Sequence, residues 1–261
     1  MLCLLRWIAV VLIISVGQTA RASEPPSEKT TNQGTGIALQ TVLDVEQTAR
    51  LLALLLDSGR AVVNDHQALF DETGPAKKGF TPALFERQLT DMFRSRAGID
   101  RDDLDSSRIP PLAKKLMKAL VETSTAVVAD AQSEITRASG SAGFIPAIYG
   151  VRVANRFTER TGVRMKQTAL VPRNAANAPD SVERAALEIF ADPNYPREKV
   201  ITETTARSGV LRLMFPLYAT RHCLDCHGEP SGALDRTGYP REGLKLGQNA
   251  GAISVMIAIT K

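Results

Sequence analysis

No block of like charge, no membrane-length apolar run and few aromatic or histidine side chains mark this sequence of 261 residues. Lys and Arg number 32 against 28 Asp and Glu, well interspersed, so a nucleic acid partner is not expected. The apolar run over residues 7–16 falls short of the roughly 20 residues that cross a bilayer. Aromatics make up 5% of the residues, and the chain is richer in Ala, Leu and Val. The histidines are His66, His222 and His227, and two of them adjoin a cysteine pair. Only His66 stands elsewhere, which leaves little material for histidine acid–base chemistry.

What the N-terminus does contain is an export signature. Arg6 supplies a short basic region, residues 7–16 the apolar core, and Ala20-Arg21-Ala22 the small-x-small cleavage pattern. Residues 1–22 are therefore expected to leave as a signal peptide, taking Cys3 with them. The exported chain keeps about 239 residues, 30 basic against 28 acidic side chains, and two cysteines. No stable membrane span is expected after cleavage.

Residues 23–37 read as a flexible leader of Pro, Ser, Thr and Gly. A helix is expected from about Ala38. Val42, Val45, Ala49, Leu52, Leu56, Val63 and Phe70 follow a helical period, and residues 51–56 are apolar all round, as a buried helix requires. Pro110-Pro111 opens a second helix running to about Arg137. The two regions resemble each other. Ala61-Val62-Val63-Asn64-Asp65-His66-Gln67 aligns with Ala126-Val127-Val128-Ala129-Asp130-Ala131-Gln132, and Gly79-Phe80-Thr81-Pro82-Ala83 with Gly143-Phe144-Ile145-Pro146-Ala147. A duplicated helix–loop–helix unit is expected, with copies over residues 38–109 and 110–163. From residue 164 the pattern turns to strand: about 165–171, a hairpin of 200–205 and 210–218, and a final strand at 251–259, with a short helix at 180–190. The expected fold class is α+β, long N-terminal helices packed on an antiparallel sheet formed by residues 164–261. The whole of 38–261 is expected to form one compact unit.

Cys223-Leu224-Asp225-Cys226-His227 is the motif that carries chemistry. In a Cys-x-x-Cys-His run both thiols can add across haem vinyl groups, and the adjacent His ligates the iron. On this reading Cys223 and Cys226 attach one haem c and His227 is the proximal ligand. A disulfide or redox-active pair is one alternative, without the βαβ context of thioredoxin. A zinc site is the other, and it needs four ligands in a tetrahedral arrangement. The sixth iron ligand is open: His66 is a weak candidate, Met92, Met117, Met165, Met214 and Met256 are soft ones, and His222 lies too close along the chain to cross the haem.

Phe144-Ile145-Pro146-Ala147, Lys166-Gln167-Thr168, Arg173-Asn174-x-x-Asn177-x-Pro179-Asp180-x-x-Glu183, the Cys223–His227 motif with Gly228, and Gly251-Ala252-Ile253-Ser254-Val255 together resemble a bacterial periplasmic c-type haem domain family, long described as a domain of unknown function. The resemblance implies a PAS-like sheet packed with N-terminal helices, a periplasmic location, and use as the sensing part of signalling proteins or as a free-standing domain. Ala175 stands where the family usually has proline, and no cysteine precedes the sheet to ligate iron. Arg173 can pair with a haem propionate or satisfy loop carbonyls, with Asn174 and Asn177 shaping its loop; Tyr239 and Lys245 can line the haem edge. All of these are cofactor-binding candidates. Redox or small-ligand sensing through a redox or signalling partner protein is the expected function, with a small molecule at the iron as one signal. A soluble electron carrier is the alternative, and a peroxidase-like enzyme ranks last.

Overall fold

The computed structural model describes residues 33–72, 79–99, 108–136, 143–205 and 209–259. The signal peptide and most of the expected leader lie outside the described residues. Helix α1, Gln33–Asp65, begins five residues before the expected start. At 33 residues it is about 50 Å long. It is followed by α2 (Gln67–Asp71) and α3 (Pro82–Ala97), then by α4 (Pro111–Asp130), α5 (Gln132–Thr136) and α6 (Pro146–Thr161). No helix among the described residues is long and apolar enough to cross a membrane.

The duplication is visible in the helices. Both long helices break at matched positions, His66 and Ala131, and each continues as a five-residue helix. Helices α3 and α6 are 16 residues each, begin with proline, and stop at Gly98 and Gly162. Those glycines adopt φ of 62° and 75°, a left-handed stop that a side chain disfavours. Each copy is tied by an equivalent ion pair: Arg96 to Asp57 in the first and Arg160 to Glu122 in the second. Thr81 caps α3 by accepting from Leu84 N at 3.1 Å.

The sheet contains β1 (Arg164–Thr168), β2 (Ile201–Thr205), β3 (Val210–Tyr218) and β4 (Asn249–Ala258), all pairs antiparallel, in the order β1-β4-β3-β2. Leu211, Leu213, Ile253, Val255 and Ile257 join the helical core on one face. Met214 and Ala252 point the other way, to a smaller core with Leu187 and Phe190 of α7 (Ser181–Phe190). Asp180 and Glu183 start α7 with a reciprocal capping box. Glu183 also accepts from Lys166 at 2.8 Å, and Arg212 donates to both oxygens of Asp180 at 2.7 Å. These bonds lock α7 to β1 and β3.

The strand order positions the site. Thr168 of β1 and Pro216 of β3 both pair with Ala252 of β4. Both strands flanking β4 therefore run opposite to it, and the chain leaves them at the same end of the sheet. The segment carrying Arg173 and the segment carrying Cys223 emerge side by side.

Tyr149 is fully buried between the copies, edge-on to Phe85 with ring centroids 5.5 Å apart. A Cβ at Gly59 would collide with its hydroxyl and ring. Gly59→Ala is expected to destabilise the protein by about 1–3 kcal/mol despite the better helix propensity of alanine. Adding Tyr149→Phe should recover part of the loss in urea denaturation, because the hydroxyl is the nearest obstacle. No recovery would mean that the backbone, not the tyrosine, sets the limit.

Candidate functional site

Cys223 begins, and His227 ends, the short helix α8 (Leu224–His227), whose turns are closed by His227 N to Cys223 O and Gly228 N to Leu224 O, both at 2.9 Å. Gly228 is required here, since a Cβ would run into the Leu224 carbonyl and side chain. Both cysteines are free and half-buried. Among the described residues no cluster of three or more His, Cys, Asp or Glu is arranged to hold a metal ion.

Four residues turn one imidazole nitrogen into a fixed donor. His227 Nδ1 lies 2.7 Å from Glu242 Oε2. Arg173 grips that carboxylate through Nε at 2.6 Å and Nη2 at 2.9 Å, the bidentate geometry that a guanidinium favours. Its Nη2 also donates to Cys226 O at 2.8 Å, and its Nη1 to Asp235 Oδ2 at 2.6 Å. Asp235 has a fully buried side chain, and its other oxygen accepts from Thr237 N, Thr237 Oγ1 and Tyr239 N. The Tyr239 ring closes over the guanidinium at 5.6 Å. Burial alone would raise the Asp235 pKa, but the bonds from Thr237, Arg173 and Tyr239 outweigh it and hold the carboxyl well below the usual range. Glu242 is lowered on the same balance: burial raises it, while Arg173 and His227 bring it down.

A carboxylate accepts hydrogen bonds only, so the proton of a neutral His227 sits on Nδ1 and Nε2 is left with its lone pair free. This is the arrangement by which metal-binding histidines are oriented and made more basic.

Cys223 and His227 line a cavity of about 760 Å³. One wall comes from α1 and α3, with Leu54, Ala61 and Met92; the other comes from β3 and the motif, with Phe215, Leu217 and Leu244. Arg50, Arg60, Arg96 and Arg197 also line it. Asp57 engages Arg60 at 2.7 Å and Arg96 at 2.6 Å, and Arg197 lies over the Tyr218 ring at 5.4 Å. The Tyr218 hydroxyl is buried in the wall with no hydrogen-bond partner. A cavity of cofactor size, lined by apolar side chains, four arginines and the carboxylates of Asp57, Asp65 and Glu198, and holding an orphaned hydroxyl, has room for a flat apolar ring and cations for carboxylates on it.

The sequence-predicted residues divide clearly. Cys223, Cys226 and His227 come together with Arg173 and Tyr239. Arg173, however, is not poised for a propionate: its four hydrogen bonds go to Glu242, Asp235 and Cys226 O, so it braces the motif instead. Tyr239 covers Arg173 and, like Lys245, does not line the cavity. Asn174 is exposed and spends its side chain on Ala176 N in a one-turn 3-10 helix. Asn177 accepts from Thr168 Oγ1 and borders a separate cavity of about 430 Å³ beside Lys166 and Met256. Both asparagines shape the turn and neither reaches the cavity at the motif. His66 does not line the cavity at the motif: its ring packs on Phe80 at 4.7 Å, and its Nδ1 bonds Val62 O at 2.9 Å. Glu242 and Asp235 are the residues that sequence reasoning missed. The one available signal was chemical, since a ligating histidine needs an acceptor for Nδ1–H.

Asp235 generates a prediction. Its carboxylate is depressed in the folded state, so its contribution is complete above the unfolded value of about 3.9 and is lost as pH falls below it. Asp235→Asn should cost about 1–3 kcal/mol at neutral pH and much less in acid, measured by denaturant unfolding at both. A penalty independent of pH would show that the carboxylate charge contributes nothing.

The Tll0287-like family model matches residues 38–258. Among solved structures, the crystal structure of the cyanobacterial heme-protein Tll0287 is similar to 62% of this chain and 98% of its own, at 16% identity and a TM-score of 0.37. No curated protein matches the chain.

Proposed function

Because this chain belongs to the Tll0287-like family, we propose that it is a haem protein in which Cys223 and Cys226 carry one covalently attached haem c and His227 is the proximal ligand. The observation that carries this reading is the braced His227, with Nδ1 held by Glu242 and the side chain on the wall of a cavity that Cys223 shares. Of the arginines lining that cavity, Arg50 and Arg197 form no ion pair among the described residues, and they, rather than Arg173, are the side chains available to propionates. Bound there, the haem would supply one-electron chemistry and, where a coordination position opens, small-ligand binding. Residues 1–22 suit export, so the proposed location is the periplasm, where the two thiols would be joined to haem.

Redox or ligand sensing through a partner protein is the preferred role. Its support is α1, which contributes Arg50, Leu54, Arg60, Ala61 and Asn64 to the cavity and also packs in the helical core. A change of charge or coordination in the cavity thus acts directly on the longest helix, from which a partner can read it. A simple electron carrier would need no such response in the helices.

Expression with a haem c maturation system, followed by acid–acetone extraction and a pyridine haemochrome spectrum, tests attachment. One haem per chain, retained on extraction and with both vinyls saturated, is the expected result. Colour that extracts completely, or never appears, would return Cys223 and Cys226 to disulfide or metal chemistry. Amide hydrogen exchange of α1 in the ferric and ferrous protein then separates the two roles: sensing predicts a redox-dependent change, and identical protection favours the carrier.

A further inference from the structure

Resting on the haem reading above, the geometry points to Met92 as the sixth ligand of the iron. Haem iron takes axial ligands from His, Cys, Met or Tyr. Besides the motif, the described residues lining the cavity offer three such side chains: Met92, Tyr218 and His222. Tyr218 and His222 belong to the segment that leads into Cys223 and so share the side of the cavity that His227 occupies. Met92 comes from α3, on the facing wall. The other methionines of the exported chain are placed elsewhere. Met117, Met165 and Met214 are buried in the cores, and the Met256 sulfur accepts from Arg212 Nη2 at 3.4 Å beside the second cavity.

The duplication supplies an independent argument. Its register matches Met92 with Arg156 and Asp65 with Asp130. In the second copy those two positions form an ion pair, Arg156 Nη2 to Asp130 Oδ2 at 2.6 Å. One turn along the helix, both copies keep their ion pair, Arg96 with Asp57 and Arg160 with Glu122. At the position that borders the cavity, the first copy carries a thioether where the second carries a guanidinium. Asp65 also lines the cavity, and its charge partner of the second copy is replaced in the first by Met92. A methionine beside an aspartate gains nothing electrostatically. A soft thioether on the wall of a cavity that His227 also lines can gain a metal bond. Coordination here donates one sulfur lone pair to iron and moves no proton. It closes the distal position, raises the potential relative to nitrogen ligation, and makes oxidation state the signal rather than a diatomic gas.

The test compares wild type, Met92→Leu and Met92→His after the haemochrome assay has shown haem attached. Met92→Leu nearly conserves volume, so packing of α3 is retained. Ferric wild type is expected to show the weak far-red thioether-to-iron band, and the ferrous form to resist carbon monoxide. Met92→Leu should lose that band, bind carbon monoxide and have a lower midpoint potential, while Met92→His should return a low-spin spectrum of bis-histidine type. Absence of attached haem overturns the haem reading and this assignment with it. Attached haem with a Met92→Leu protein spectroscopically identical to wild type overturns Met92 alone.

Discussion

The carboxylate of Glu242 sits between a guanidinium and an imidazole, and the whole site depends on that contact. His227 ends a four-residue helix and its side chain is 37% exposed, so nothing in local structure fixes its ring. The ring is fixed from outside. Arg173 holds Glu242 with two bonds, is itself held by the buried Asp235, and reaches back to the Cys226 carbonyl. Asp235 in turn organises its own turn through Thr237 and Tyr239. Removing any member leaves a charged group without its partner in a partly buried loop, which is costly. The sheet makes this possible, because pairing both β1 and β3 against β4 delivers Arg173 and the motif to one end.

The helical half contributes the opposite wall, and it does so asymmetrically. Two copies of one unit share their breaks, their glycine stops and an ion pair. The second copy also forms ion pairs through Arg152 and Arg156, at 2.9 and 2.6 Å. The first copy places Asn64, Asp65 and Met92 on the cavity instead. The duplication thus supplies a bundle from both copies and a cavity wall mostly from the first, with Pro146 from the second. Surface ion pairs of this kind are worth little in stability, so losing one costs the fold almost nothing.

Much of this was legible in the residues themselves. The Cys-x-x-Cys-His spacing, the hairpin at 201–218 and the Gly-Phe-x-Pro-Ala repeat are local patterns, and local patterns survive in a single sequence. The bracing network was not legible, because Arg173 lies 69 positions from Glu242 and the pairing follows from strand order rather than from spacing. For Arg173 the residues alone leave open a propionate or loop carbonyls; the Cys226 carbonyl is one of its partners, while Glu242 and Asp235 lie too far along the chain to be read from spacing. The surroundings of His66 were not legible either: its ring packs against Phe80, 14 positions away, as well as Phe70.

The bracing of His227 is best tested by the midpoint potential of haem-loaded Glu242→Gln against wild type. An ionised acceptor on Nδ1–H strengthens the imidazole as a donor and favours ferric iron, and the neutral amide withdraws both effects. The variant should therefore have a higher potential, by about 59 mV for each tenfold loss of preference for the ferric state. An unchanged potential, with haem still attached and the fold intact, would mean that Glu242 merely shapes the loop and does not act on the iron through His227.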